Sequence, residues 1–245
     1  MDDWPYPRWI AHRGAGKLAP ENTLAAFKLG ASHGYRMFEC DVKLSADDVL
    51  FLLHDATLER CSNGTGDSRS LSWEALAKLD AGSWHSPEFA HEPLAAFENI
   101  ARFCLDNHYF LNLEIKPTPG LESETGKAVA DSAARIWKDK VVPPLLTSFQ
   151  TESLRSAQLA QAHVPRGLLL DKWTPGWLES AKELGCVAIV CNYRLGDEQA
   201  VGLVKTAGMR CLSYTVNDET PARELIRLGT DGIITDRVDF FRPEE

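Results

Sequence analysis

Nine short apolar runs set the tightest limit on how this chain folds. They cover residues 8–12, 37–44, 49–54, 110–116, 145–149, 166–170, 187–191, 211–216 and 232–235. Most are continuous rather than alternating. A strand with one wet face alternates apolar and polar side chains. An unbroken run therefore marks a strand buried on both faces, as in a parallel sheet. Helical patterns lie between the runs. Residues 22–33 put Leu24, Phe27 and Ala31 on one face, and residues 122–138 place Val129, Ala133, Ile136 and Trp137 at helical spacing. Further helices are predicted over 94–107, 152–162, 176–184, 197–207 and 219–228. Gly34, Gly185, Gly208 and Gly229 follow four of these patterns as stop signals. Asp218 is placed to cap the last helix, with Pro221 in its first turn.

Only Ser45-Ala46-Asp47-Asp48 separates the second run from the third. Four residues make a hairpin, whereas a parallel crossover takes a dozen or more. The third run is therefore expected to pair antiparallel with the second. The remaining eight alternate mostly with helices over about 230 residues, the count and length of an α/β chain forming a (β/α)8 TIM barrel. A doubly wound open sheet is the alternative, and no glycine-rich dinucleotide fingerprint supports it. Residues 1–245 are read as a single TIM-barrel domain, with a small insertion after the hairpin of the second strand, at about 55–92. Trp73, Trp84 and Phe89 are expected to form the insertion's own core, with one short helix near 73–79. Lining a substrate entrance is the alternative role for them.

No apolar run approaches the roughly 20 residues of a membrane helix. Met1-Asp2-Asp3-Trp4-Pro5 lacks the basic-then-apolar order of a secretory signal. Cys40, Cys61, Cys104, Cys186, Cys191 and Cys211 form no CxxC pair, so they read as buried reduced thiols, and the expected location is cytoplasmic. The chain carries 26 Lys+Arg against 35 Asp+Glu, a net charge of −9. That argues against a nucleic-acid partner and against membrane insertion. It also repels an anionic substrate unless a local cation reverses the sign.

The C-terminal ends of barrel strands build the active site. The first run ends in His12-Arg13-Gly14. The second carries Glu39 and Asp41, and His54 ends its hairpin partner. Glu114-Ile115-Lys116 ends the next, and Thr147-Ser148 the one after. Asn217 follows the eighth run and Asp236 the ninth. Glu39 and Asp41, two apart on a strand, share a face, with Cα atoms roughly 6–7 Å apart. Three carboxylates converging at one mouth repel unless a cation lies between them. An all-oxygen donor set suits Mg²⁺ or Ca²⁺ better than zinc. Two histidines titrating near neutrality suit one base and one acid. Arg13 and Lys116 supply fixed positive charge for an oxyanion.

Each feature alone has an ordinary structural reading. An E-x-D pair is common on strands, a His beside Arg-Gly is usually a turn residue, and Lys116 before Pro117 can be a snorkelling charge. Their coincidence at one pole carries the case, because buried charges this dense seldom persist without a function. Glu21-Asn22-Thr23 reads as a helix-start device after Pro20, and Asp236 as a residue bonding backbone at the rim. His33, His85, His91, His108 and His163 read as solvated.

In their order and spacing, His12-Arg13-Gly14, Pro20-Glu21-Asn22-Thr23, Glu39-x-Asp41, His54-Asp55 and Glu114-x-Lys116 resemble the glycerophosphodiester phosphodiesterase family, cytosolic bacterial type. Tyr214-Thr215-Val216-Asn217 and Asp231-Gly232-Ile233-Ile234-Thr235-Asp236 extend the resemblance to nearly the whole chain. It implies a TIM barrel with an insertion. It implies hydrolysis of glycerophosphodiesters, such as glycerophosphocholine or glycerophosphoethanolamine, to sn-glycerol 3-phosphate and an alcohol. Carried over residue by residue, Glu39, Asp41 and Glu114 are the ligands of one divalent ion, Mg²⁺ or Ca²⁺. His12 and His54 are the acid–base pair, and Arg13, Lys116 and Asn217 contact phosphate or substrate.

On this reading His12 takes the proton of the glycerol 2-hydroxyl and His54 protonates the leaving alcohol, through a cyclic phosphate. Direct attack by water is the competing route. The local charge turns positive only with the metal in place, so strict metal dependence is expected. The partner is a small-molecule phosphodiester, and a homo-oligomer is allowed. A related phospholipase-type barrel acting on lysophospholipids or phosphoinositides would want a basic or greasy rim, which the acidity opposes. A non-catalytic binding protein on the same scaffold would be expected to have lost a histidine or a carboxylate, and none is missing.

Overall fold

The computed structural model describes residues 4–138 and 142–243. The expectation for Met1-Asp2-Asp3 lies outside the described residues. The apolar runs become strands β1 (Trp9–Ala11), β2 (Met37–Leu44), β3 (Leu50–Leu52), β4 (Phe110–Ile115), β5 (Leu145–Ser148), β6 (Arg166–Leu170), β7 (Ala188–Asn192), β8 (Arg210–Tyr214) and β9 (Gly232–Thr235). Their spatial order is β1-β9-β8-β7-β6-β5-β4-β2-β3, and β1 also pairs with β2. That last pairing closes eight parallel strands into a barrel. β3 stays outside the ring, antiparallel to the extension of β2 through Val42↔Leu52, Lys43↔Phe51 and Leu44↔Leu50. The expected (β/α)8 barrel and its hairpin are both present.

The helices are α1 (Leu24–Ser32), α2 (Trp73–Leu76), α3 (Phe97–Asp106), α4 (Glu122–Ile136), α5 (Thr151–Ala160), α6 (Trp177–Glu183), α7 (Glu198–Thr206) and α8 (Glu219–Arg227). The four expected glycine stops all have positive φ. Asp218 stands at the start of α8, but its side chain makes no capping bond.

The period of two along β2 decides what faces inward. Met37 joins Ile10, Leu145, Leu169, Ala188, Val190, Leu212 and Ile234 in a plug inside the barrel. Phe38, Cys40 and Val42 point the other way, into the larger layer between strands and helices. Glu39 and Asp41 therefore share the inward face with Met37, which forms part of the apolar floor. All six cysteines are buried free thiols. No helix among the described residues is long and apolar enough to cross a membrane.

The insertion has a core of its own, made by Phe51, Leu53, Leu58, Cys61, Leu76, Ala81 and Leu94. The expected aromatic trio does not build it. Trp73 packs at its edge, Phe89 packs on the main core, and Trp84 is 40% exposed. Phe51 and aliphatic side chains fill a small compact cluster, with Trp73 at its edge.

Candidate active site

The backbone amide of His12 donates to the Thr235 carbonyl at 3.0 Å, which carries the β1–β9 pairing one residue past the strand. The chain then turns sharply. Arg13 has φ 51° and Gly14 φ 100°, and the Arg13 amide donates to Glu39 Oε2 at 3.1 Å. A non-glycine residue with φ in this region is uncommon and clusters at functional sites. Gly16 matters for a different reason. A Cβ there would lie 2.1 Å from the Asp236 carbonyl oxygen, so only glycine lets the end of β9 press against this loop. As a result Asp236 Oδ1 sits 2.6 Å from His12 Nδ1. Asn217 fixes Asp236 from behind: its amide nitrogen donates to Asp236 Oδ2 at 2.8 Å, and its oxygen accepts from the Asp236 amide at 2.9 Å.

His54 follows β3 and repeats the pattern with its neighbour. Its Nδ1 lies 2.6 Å from Asp55 Oδ1. Both rings thus turn Nδ1 to a carboxylate, which fixes the ring and leaves Nε2 for other work. Arg60 holds Asp55 by Nε and Nη2, at 2.6 and 3.0 Å. The same guanidinium holds Glu21 at 2.6 and 2.9 Å, and Glu21 accepts from Arg13 Nη1 at 2.8 Å. Arg13 Nε is 3.3 Å from Asp41 Oδ2, close enough for charge attraction without hydrogen-bond alignment.

The acidic group comes from two adjacent strands. Asp41 on β2 pairs in register with Glu114 on β4, and Glu39 with Asn112. Glu39, Asp41 and Glu114 each offer an oxygen, all within 4.8 Å of one another. Asn22 grips Asp41: its Nδ2 donates to Asp41 Oδ2 at 2.9 Å, and its Oδ1 accepts from the Asp41 amide at 3.1 Å. Lys116 Nζ donates to Glu114 Oε1 at 2.6 Å and stands 3.8 Å from Asp41 Oδ1.

Glu39 Oε1 and Asp41 Oδ1 are buried and accept no hydrogen bond from the protein. A buried carboxylate oxygen without a donor costs several kcal/mol unless a cation takes it. Burial and then the charge of Asp41 push the Glu39 carboxyl up to about 8. Burial likewise raises Glu114. Asp41 stays low because Arg13, Lys116 and the bond from Asn22 outweigh its burial. The three residues fit a hard divalent cation: oxygen donors only, close together, and orphaned where the ion would sit.

These side chains open on a cavity of about 170 Å³, lined by His12, Arg13, Glu39, His54, Asn112, Glu114, Lys116, Thr147, Phe149, Leu169, Tyr214, Thr215 and Ile234. Open hollows of about 900 and 710 Å³ lie beside Arg36 and Arg135, away from the three buried carboxylates. Six of the eight residues singled out from the sequence line the cavity, and Asp41 stands with them in the acidic cluster. Asn217, expected against the substrate, is not on the wall, and its amide is engaged by Asp236 at both ends.

The structure departs from two of the sequence expectations. Thr23 does start α1, accepting from the Ala26 amide at 3.3 Å, but Asn22 and Glu21 beside it belong to the site. The Asp236 carboxylate bonds the side chains of His12 and Asn217 rather than rim backbone. Arg60, Asn112 and Phe149 stand out in no sequence motif. Asp55 was legible only through its adjacency to His54, and Arg60 carried no local signal at all.

A family model described as the glycerophosphoryl diester phosphodiesterase family matches residues 12–240. The chain belongs to this family. It is an enzyme of the glycerophosphodiester phosphodiesterase class, a phosphoric diester hydrolase. The glycerophosphodiester phosphodiesterase of Caldanaerobacter subterraneus is 31% identical over 231 residues, covering 93% of each chain. That of Bacillus subtilis is 26% identical over 247 residues, 95% of this chain and 84% of the relative. A solved phosphodiesterase of Oleispira antarctica, in complex with the product sn-glycerol-3-phosphate, is 33% identical with a TM-score of 0.88. The match covers 94% of this chain and 93% of that one.

Proposed function

We propose that this phosphodiesterase hydrolyses glycerophosphodiesters, among them glycerophosphocholine and glycerophosphoethanolamine, to sn-glycerol 3-phosphate and an alcohol. It works within a single barrel domain of which the insertion is part. Glu39, Asp41 and Glu114 hold one divalent cation, Mg²⁺ or Ca²⁺. One observation carries the reading: two histidines, each with Nδ1 against an aspartate, open on the same cavity as Glu39 and Glu114 of the three-carboxylate cluster. The product-bound Oleispira antarctica phosphodiesterase supports the product.

The chain's own groups divide the work. Arg13 and Lys116 line the cavity and offer N–H donors to phosphate oxygens. His12 accepts the proton of the attacking hydroxyl, that of the glycerol C2 or of water, and His54 delivers one to the leaving alcohol. In the second half of a cyclic-phosphate route the two roles reverse. Against burial, the Asp236 bond and Glu39 raise His12, while burial lowers His54; these directions suit the second half, with His54 as base and His12 as acid, and oppose the first. When bound, the cation offsets the carboxylates, including the Glu39 contribution that raises His12, and acidifies a hydroxyl beside it. Asn217 orients Asp236 rather than the substrate.

The test is release of glycerol 3-phosphate from a panel of glycerophosphodiesters, with and without chelator. Turnover in the presence of metal and loss on chelation are expected. Activity that survives complete metal removal would sink the metal reading. Full turnover of a substrate lacking the glycerol 2-hydroxyl would exclude the cyclic route.

A further inference from the structure

We propose that Arg60, which does not line the cavity, is a positioning residue that sets His54 and Arg13 together by clamping the two carboxylates behind them. The inference rests on the roles given above to His54 and Arg13. Its geometry is a fork gripping two anions. Nε and Nη2 reach Asp55 at 2.6 and 3.0 Å, while Nη1 and Nη2 reach Glu21 at 2.6 and 2.9 Å. Asp55 in turn meets His54 Nδ1 at 2.6 Å, and Glu21 meets Arg13 Nη1 at 2.8 Å. One planar cation therefore ties the loop after β1 to the start of the insertion, and through them two groups of opposite duty.

The chemistry explains why this group is an arginine. A guanidinium has five donors in a fixed plane and can serve two carboxylates at once, whereas an ammonium is a single point charge. Charge-assisted bonds of this kind are short and directional. The bond from Arg60 is the largest influence holding Asp55 below the usual aspartate range, so Asp55 stays an anion able to accept from His54 Nδ1–H. Against its burial, Glu21 is also held low, by Arg60 and Arg13. Without Arg60, each carboxylate keeps its partner by one contact and loses the two that fix its plane.

The backbone under Arg60 is well placed for this task. Its side chain is 44% exposed, yet Leu58 and Cys61 on either side are buried in the insertion's core. The insertion meets the same β1–α1 segment twice more. His85 Nε2 lies 3.0 Å from the Lys17 carbonyl, and Glu92 accepts from the Ala25 amide at 3.0 Å. Arg60 is thus the member of a three-point brace that reaches the reacting groups.

Steady-state kinetics of Arg60→Ala and Arg60→Lys test the inference, beside Asp55→Asn, Glu21→Gln and His54→Ala. Arg60→Ala is expected to lower kcat by about 10- to 100-fold, the size typical of groups that orient a working side chain, and to raise KM severalfold. Arg60→Lys keeps the charge without the fork and should recover little of either. The single variants should split the effect: Asp55→Asn mainly in kcat, Glu21→Gln mainly in KM. Millimolar guanidinium should restore part of the kcat of Arg60→Ala, which a merely structural role would not allow.

Arg60→Ala and Arg60→Lys both keeping kcat and KM within twofold would overturn the inference. So would a loss in Arg60→Ala that follows a fallen Tm and ignores guanidinium, with Arg60→Lys normal. Where Arg60→Ala does not fold, Arg60→Lys alone decides. Full activity in His54→Ala would instead overturn the role of His54 itself. An inactive His54→Ala beside unaffected Arg60 variants overturns only the brace.

Discussion

His12 and His54 face the same cavity, but different parts of the molecule hold them. His12 sits at the end of β1 beside its barrel neighbour β9, and its partner Asp236 is braced by Asn217. The side chains of His12 and Asp236 are 19% and 14% exposed. His54 stands at the root of the insertion, with Asp55 and Arg60 at 30% and 44%. One arm is fixed by the pairing of two barrel strands, which cannot loosen without opening the sheet. The other is fixed by charged bonds in partial contact with water, where pairing is weaker and screened by salt. The contrast extends to protonation. The Asp236 bond and Glu39 overcome burial to raise His12, while burial prevails over Asp41 and lowers His54.

The largest effects test the common ground of the two arms. His12→Ala and His54→Ala should each keep the melting temperature and lose about 10²- to 10⁴-fold in kcat, the usual worth of general acid–base catalysis. Wild-type kcat in either would break the assignment. The next test separates the arms. Asp236→Asn should cost nearly as much as His12→Ala, because an amide in place of the carboxylate favours the wrong ring tautomer in a buried setting. Asp55→Asn should cost less, since water reaches the more exposed His54 ring. Equal losses would mean that burial does not distinguish the two histidines.

A packing change sharpens the difference further. Leu58→Ala opens a cavity in the insertion core and should destabilise it by about 2–5 kcal/mol. Hydrogen exchange should then rise over 55–92, with the barrel strands still protected and kcat reduced through His54. Uniform exchange across the chain would show that the insertion does not loosen by itself.

The smallest effect is on pH. Asp80 accepts from the Ser83 hydroxyl and from the amides of Ser83, Gly82 and His91, and these bonds, the Ser83 hydroxyl first, hold its carboxyl below the usual range. A carboxyl lowered by folding adds stability above its unfolded value of about 3.9 and loses it as pH falls further. Limited proteolysis of the insertion should therefore speed up below about pH 4, less so in Asp80→Asn. An identical acid response in that variant would remove Asp80 as the cause.

Much of the barrel was legible in the chain because its signals are local. Continuous apolar runs mark strands buried on both faces, and a four-residue gap allows only a hairpin. The acidic cluster was half legible for the same reason. A period of two puts Glu39 and Asp41 on one face, and likewise Glu114 and Lys116. The misreadings share the opposite cause. Glu21 and Asn22 look like any helix start until the fold sets Arg60 and Asp41 against them. Trp84 and Phe89 look like core by composition, yet Phe51 and aliphatic residues fill the insertion's cluster.

The sequence by itself determined the strand count, the hairpin and which charged residues share a strand face, since those follow from spacing along one extended segment. Only the tertiary structure decided which groups stand behind the reacting ones. His12 meets Asp236 across 224 residues and Arg60 meets Glu21 across 39. Contacts of that kind are fixed by barrel closure and by how loops dock at its mouth. A periodicity read along the chain carries no information about distances between loops, and it is those distances that choose the partner of each histidine.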